Sequence, residues 1–251
     1  GEGNFSFAYG LRHCKEIEVL ATGYDAEQVL VSRYPEAVSI CAKLRQSCEN
    51  IIGVMHGVDA NHLHFHAALK CLSVDDVVFT HPHLGTEDTR AHSSLLGHFF
   101  HSARRLLEMR RSSSESLTPQ GRVHVTLAAE QATLWRIEEQ AQRNGLDFLG
   151  ITDFDDTWFD GYERRRTLSG RSFASRAASS RTFTFAAPGV GSKARPLVPW
   201  RCYREATTLA GPTEVNGQQS KGRSAKLRLP ENTEELAGED PFHCIPCAKR
   251  F

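Results

Sequence analysis

Over residues 1–167, short apolar runs alternate with amphipathic stretches, and this alternation constrains the chain more than any other feature. It is the rhythm of strands joined by crossover helices, which places the chain in the α/β class with a mostly parallel sheet and helices on both faces. Strands are predicted over 17–22, 51–58, 74–80, 121–128, 146–154 and 181–185. Helices are predicted over 26–47, 61–71, 94–109 and 130–143. The run Val77-Val78-Phe79 suits a buried central strand. Val123, Val125 and Leu127 alternate onto one face, and Leu95, Leu96, Phe99, Ala103, Leu106 and Leu107 repeat at helical spacing. Pro35 interrupts the first long helix near Tyr34, and Asn144-Gly145 reads as a C-cap.

From about residue 187 the pattern dissolves. Five prolines, Pro188, Pro196, Pro199, Pro212 and Pro230, lie among Gly, Ser, Lys and Glu. This divides the chain into a domain over 1–186, a disordered linker over 187–239 and a short terminal piece over 240–251. Thirty Lys+Arg balance thirty Asp+Glu, which excludes a globally basic nucleic-acid coat but leaves room for a local basic patch. No apolar run approaches the roughly 20 residues of a membrane-spanning helix, and no signal peptide is visible, so no membrane partner is expected. Seven cysteines without staple spacing point to free thiols in a reducing compartment. The chain has no initiator Met and opens inside a glycine turn, which leads to the expectation of a fragment cut at both ends.

Gly1-Glu2-Gly3-Asn4-Phe5-Ser6 leads into a helix-compatible segment, where glycines allow close backbone approach to a nucleotide-like ligand. Asp25 follows the next strand, about twenty residues on, where a carboxylate can accept both hydroxyls of a ribose. Asp59-Ala60 ends the strand after that, where an adenine could lie, although Asp59 is equally placed to N-cap the helix that follows. His81-Pro82-His83 follows Thr80 at the end of a strand, the edge where such folds hold substrates. A rigid turn with two solvated histidines is the alternative. His62-x-His64-x-His66 has metal-like spacing only on a strand, and on a helix its side chains diverge. Arg164-Arg165-Arg166, with Arg171, Arg176 and Arg181 beyond, is the strongest local basic patch.

These segments fall in an order that closely resembles the Rossmann-like S-adenosylmethionine-dependent methyltransferases that modify uridine N3 in large-subunit ribosomal RNA. The resemblance rests on the glycine turn through Phe7, Ala21-Thr22-Gly23-Tyr24-Asp25-Ala26, Val58-Asp59-Ala60 and Phe79-Thr80-His81-Pro82-His83-Leu84-Gly85. Val123-His124-Val125-Thr126-Leu127 and Gly161-Tyr162-Glu163-Arg164-Arg165-Arg166-Thr167 continue it. The chain departs from the family pattern at Thr80, His81, Asp160 and Arg164. The resemblance implies a class I methyltransferase fold whose first strand would precede Gly1, with S-adenosyl-L-methionine as cofactor and ribosomal RNA as partner. The cofactor would be held by Gly1, Glu2, Gly3, Asn4, Phe5, Ser6, Asp25, Asp59 and Ala60. His83 would orient the base or accept its imide proton, with Thr80, His81, Pro82, Tyr162, Arg164, Arg165 and Arg166 on the substrate side, and Phe5, Phe79 or Tyr162 available to stack on a flipped base. Localisation in the nucleolus or nucleus follows, with the cytoplasm as alternative. A catalytically silent RNA-binding module on the same fold is the rival reading. Phe242-His243-Cys244-Ile245-Pro246-Cys247 and Phe251 resemble the first half of a C2H2 zinc finger, in which Cys244 and Cys247 would hold zinc with two further ligands.

Overall fold

The computed structural model describes residues 3–111, 121–128, 130–167, 169–170, 179–188 and 198–200, all within the compact unit 1–211. Gly1, Glu2, Arg171, Arg176, Cys244 and Cys247 lie outside the described residues, as does most of the expected linker. The elements run α1 (Ser6–Gly10), β1 (Val19–Thr22), α2 (Glu27–Arg33), α3 (Ala37–Ser47), β2 (Ile51–Met55), a 3₁₀ turn (Ala60–Phe65), α4 (Ala67–Lys70) and β3 (Asp76–Thr80). They continue with α5 (Thr89–Arg111), β4 (Arg122–Ala128), α6 (Gln131–Leu134), α7 (Ile137–Arg143), β5 (Asp147–Phe154) and β6 (Ser180–Ala186). Pro35 disfavours helical backbone at Tyr34, whose φ of −133° separates α2 from α3. Gly145 closes α7 at φ 66°, and the amides of Gly145 and Leu146 bond back to Gln142 and Ala141. The helix predicted over 130–143 is broken at Arg136, which takes the left-handed conformation at φ 53° while Trp135 turns into the core.

The described strands form two sheets instead of one mostly parallel sheet: β1 pairs parallel with β2, and β3-β4-β6-β5 form a mixed sheet in which β3 and β4 are parallel and β6 lies antiparallel between β4 and β5. Among the described residues between β5 and β6 there is no crossover helix, and the two strands pair antiparallel. The central position belongs to β4, not β3: β4 is bonded along both edges and buried over Arg122–Leu127 on both faces. Val123, Val125 and Leu127 pack with Leu96, Phe99, Phe100 and Ala103 of α5, as their alternation predicts.

The opposite face of β4 is polar and equally dry. His124 is fully buried between Asp76 (3.0 Å) and the Thr184 hydroxyl (3.0 Å), and Thr126 shares a 2.8 Å hydrogen bond with Thr182. Burial of these groups is tolerable because each has a partner. Trp200 stands 6.0 Å from the His124 ring and meets Phe7, Phe154 and Phe159 edge-on. Val198 and Trp200 are 3% and 2% exposed, so part of the stretch expected to be an unpacked linker is core. An aromatic and a branched residue flanking Pro199 was the signal for this. Cys14, expected free, is disulfide-bonded, whereas Cys41, Cys48 and Cys71 are free.

Replacing Trp200 by Ala is expected to destabilise the domain by about 3–5 kcal/mol, the usual cost of emptying a buried aromatic site. Urea denaturation measures this; a linker residue would leave the midpoint unchanged.

Candidate active site

The carboxyl end of β1 leads into Gly23 and Asp25, and that of β2 into His56–Asp59. Two backbone bonds tie these ends together: Val58 N–H to Gly23 O at 2.9 Å and Gly57 N–H to Asp25 O at 3.3 Å. Asp25 and Asp59 therefore follow neighbouring parallel strands. The β3 end, Thr80–Gly85, is held to β4 by the His81 amide, which donates to Thr126 O at 2.9 Å.

The side chains of the glycine turn point into the protein. Asn4 and Ser6 are 4% and 1% exposed, and Phe5 is fully buried. Asn4 Oδ1 accepts from the Ser6 amide (3.2 Å) and hydroxyl (2.7 Å), while its Nδ2 donates to Glu36 at 3.1 Å. Phe5 takes a left-handed φ of 63° and packs edge-on against His56 at 5.2 Å, so it is core and unavailable for stacking. At Gly3 a Cβ would come within 3.3 Å of the Tyr34 hydroxyl. What this turn can offer a ligand is backbone.

Asp25 is already engaged, with its two oxygens 2.9 and 2.7 Å from Arg33 Nη1. A carboxylate has about four acceptor positions, so two hydroxyls can still be accommodated. Asp59 caps the 3₁₀ turn through the Asn61 amide (2.8 Å) and meets His62 Nδ1 (2.8 Å), the capping role its position allowed. Beside the buried Ala60, Asn61 Oδ1 is a buried acceptor without a partner. At the end of β3, Thr80 Oγ1 is likewise buried and unpartnered. Each such atom costs about 1–3 kcal/mol unless a ligand or water completes it. Both lie at the carboxyl edge, one suited to an exocyclic amine and one to a base or ribose edge. The residues present thus fit an adenosyl ligand. Asn61 was missed from the sequence because an Asn after an Asp reads simply as part of a cap.

His81 and His83 play different parts. His81, at φ 49°, turns inward, with Nδ1 3.1 Å from the Tyr162 hydroxyl and Nε2 3.0 Å from Ser180 Oγ. Burial and the Arg164 charge hold it well below the ordinary histidine range, and so neutral. Both ring nitrogens of His81 are thus engaged within the protein, one of them by Tyr162, and it pins the loop. Pro82 is buried. His83 is half-buried, and its Nδ1 accepts the Gly85 amide at 2.8 Å. Burial, and next the neighbouring His92, lower its pKa, so the neutral ring carries its proton on Nε2. His92 was not singled out from the sequence. It is 1% exposed, stacks on Trp135 at 4.2 Å, donates to Asp88 O and accepts from the Leu84 amide, which fixes the loop carrying His83.

The arginine run also departs from expectation. Arg164 pairs with Asp156 at 2.8 Å and donates to Ser180 Oγ, and Arg165 pairs with Glu163 (2.7 Å) and Glu36 (3.1 Å). Their side chains are 13% and 19% exposed, so both are internal clamps. Arg166 is exposed. The same loop accepts and donates at Ser6 Oγ through the Glu163 backbone (3.1 Å each) and reaches His83 O through the Thr167 hydroxyl (3.1 Å). One segment therefore fastens the glycine turn to the histidine loop.

Residues 1–166 match the BMT5-like family, described as rRNA (uridine-N3-)-methyltransferase BTM5-like. The chain belongs to this family. It is also 32% identical over 178 residues to heavy metal-associated isoprenylated plant protein 41 of Arabidopsis thaliana, an alignment covering 66% of this chain and 32% of that protein. The chain thus spans about a third of the curated relative it matches. The methyltransferase family implies a Rossmann-like fold, and the α/β architecture agrees.

Arg164→Ala and Arg165→Ala are each expected to lower stability by about 1 kcal/mol, since each removes ion pairs whose carboxylates stay partly solvated; denaturant midpoints check this, and an exposed, solvated loop would show no change. His81 is neutral when folded and titrates near pH 6.5 when unfolded. The unfolded chain then binds the extra proton below about pH 6.5, so stability falls as pH drops through that range. His81→Gln should flatten this fall by up to about 1.4 kcal/mol per pH unit, measured as urea midpoints between about pH 7.5 and 5. The other histidines lowered by burial, His56, His64, His66 and His83, should keep the remaining slope.

Proposed function

We propose that the chain transfers a methyl group from S-adenosylmethionine to N3 of a uridine in large-subunit ribosomal RNA. The observation that carries this reading, beside the family, is the loop 163–167, which bonds to Ser6 on the cofactor side and to His83 on the substrate side. Two ligand positions held at fixed separation are what an in-line methyl transfer requires, and positioning supplies most of its rate.

When bound, S-adenosylmethionine supplies an electrophilic methyl carbon on a sulfonium. Asp25 would accept the ribose hydroxyls while keeping Arg33, Asn61 Oδ1 would accept the adenine amine, and the backbone of Gly3–Ser6 would hold the methionine portion, with Gly1 and Glu2 assigned to the cofactor as well. On the substrate side, Thr80 Oγ1 bonds the uracil edge. His83 would act as a donor: with Nδ1 held by the Gly85 amide, its Nε2–H is left to bond a uracil carbonyl and orient N3. This tautomer does not take up the imide proton, which passes to water. The fold proposed for the whole protein is the class I sheet, with a strand between β1 and β3. With ribosomal RNA as substrate, the protein works in the nucleolus or nucleus. Cys244 and Cys247 would bind zinc only together with two further ligands. The metal association in the relative's name has no counterpart among the described residues, which include no group of three His, Cys, Asp or Glu placed to hold an ion; nor is any described helix long and apolar enough to cross a membrane.

A silent RNA-binding module is the second reading, favoured by the Asp25–Arg33 pair already occupying the ribose carboxylate. Incubation with S-adenosylmethionine labelled in its methyl group and unmodified large-subunit RNA separates the two. Label recovered as N3-methyluridine supports the enzyme; cofactor binding without transfer supports the silent module. Asp25→Ala is expected to weaken cofactor binding by about 1–3 kcal/mol, read by calorimetry, and unchanged affinity would remove that assignment. His83→Ala should reduce kcat at saturating cofactor by about tenfold or more while leaving cofactor affinity in place. Full activity across pH would end its orienting role.

A further inference from the structure

A patch on the 3₁₀ turn and the facing part of α5 joins exposed aromatic surface to positive charge. Phe65 is 63% exposed, an unusual setting for a large aromatic outside the core. The His64 ring lies against it at 4.0 Å, His62 stands 6.2 Å away, and His101 of α5 meets His64 edge-on at 5.6 Å. Besides burial, the charges that act on His64 come from His101, Arg105, His62 and Lys70, and every one is positive when protonated. Two carboxylates border the patch and are shared with its rim: Asp59 pairs with His62, and Glu108 is divided between Arg104 and Arg105. The surface is firmly built, because the Leu63 amide donates to the buried Ser102 hydroxyl of α5 at 2.7 Å.

The patch also has a defined relation to the active-site edge. The 3₁₀ turn begins at Asp59, at the end of β2, and α5 begins directly after the His83 loop. Twelve residues of helix put His101 about 18 Å along α5 from Thr89. A ligand reaching both places must be extended. A protruding π-face beside converging cations fits a polyanion with bases to stack, whereas an apolar partner would leave the cations desolvated.

We propose that Phe65, His64, His101, Lys70 and Arg105 form a second docking surface for single-stranded RNA, with one base stacked on Phe65 and flanking phosphates on the cations. This surface rests on the reading of RNA as substrate: it holds nucleotides flanking the target, and sets affinity without touching the reacting atoms. Burial, and next its cationic neighbours, keep His64 from protonating at neutral pH. Lys70 and Arg105 therefore carry the charge there.

The test uses the full chain and a single-stranded uridine-rich oligonucleotide, followed by fluorescence anisotropy. Phe65→Ala should weaken binding by about tenfold and leave the melting temperature unchanged. Lys70→Ala with Arg105→Ala should make the salt dependence shallower by about 0.7 for each phosphate that is no longer neutralised. Wild-type affinity and salt slope in these two variants would overturn the proposal, as would a loss on Phe65→Ala confined to anionic lipid vesicles. Methyl transfer separates this outcome from the enzyme reading. Transfer to ribosomal RNA with an unchanged KM in Phe65→Ala overturns the docking surface and leaves the enzyme. Patch-dependent RNA binding without transfer supports the surface and overturns the enzyme.

Discussion

Strand β4 is bonded on both edges and buried on both faces, and the rest of the domain is arranged by what each face demands. One face is aliphatic and needs only volume, which α5 supplies. The other carries His124 and Thr126 into a dry interior, and a buried polar group without a partner is costly. Asp76 from β3 and Thr182 and Thr184 from β6 meet that demand. Satisfying them fixes the register of three strands at once, since a slip of one residue would move His124 to the wrong face. Phe7, Phe154, Phe159 and Trp200 then seal this polar layer from water.

The same matching of partners organises the active edge. Ser6, Glu163, Thr167 and the His83 carbonyl form a short chain of hydrogen bonds across residues far apart in sequence, flanked by the Asn4–Glu36–Arg165 contacts. Arginines that a charge count assigns to RNA are committed to this clamp. Together with the backbone of Glu163 and the Thr167 hydroxyl, they fasten the glycine turn and the histidine loop to one segment. Two histidines in one tripeptide divide likewise: His81 is consumed by Tyr162 and Ser180, while His83 keeps one ring nitrogen for a ligand.

Burial also sets protonation. The imidazoles of His81 and His83 lie where the charged form is penalised, so the loop is built from neutral rings with assigned donors and acceptors. A neutral His83 with Nδ1 occupied is suited to directing a carbonyl, and this geometry distinguishes orientation from proton removal.

By itself the sequence determined the order of strands and helices, the break at Pro35, the cap at Gly145 and the set of segments that mark the family. These depend on local backbone preference and on hydrophobic period, both of which are written in neighbouring residues. It also placed Asp25, Asp59 and His83 at strand ends, because a strand that stops leaves its next residue at the sheet edge. Only the tertiary structure decided which strand is bonded on both edges, that β6 lies between β4 and β5, that Phe5 is core and that Trp200 closes the sheet. It alone decided that Arg164 and Arg165 face inward, and that Asn61 and Thr80 present buried atoms awaiting a partner. The reason is physical: pairing, burial and ion pairing are settled between residues distant in sequence, and a charge or an aromatic ring has no fixed role until its neighbours are in place.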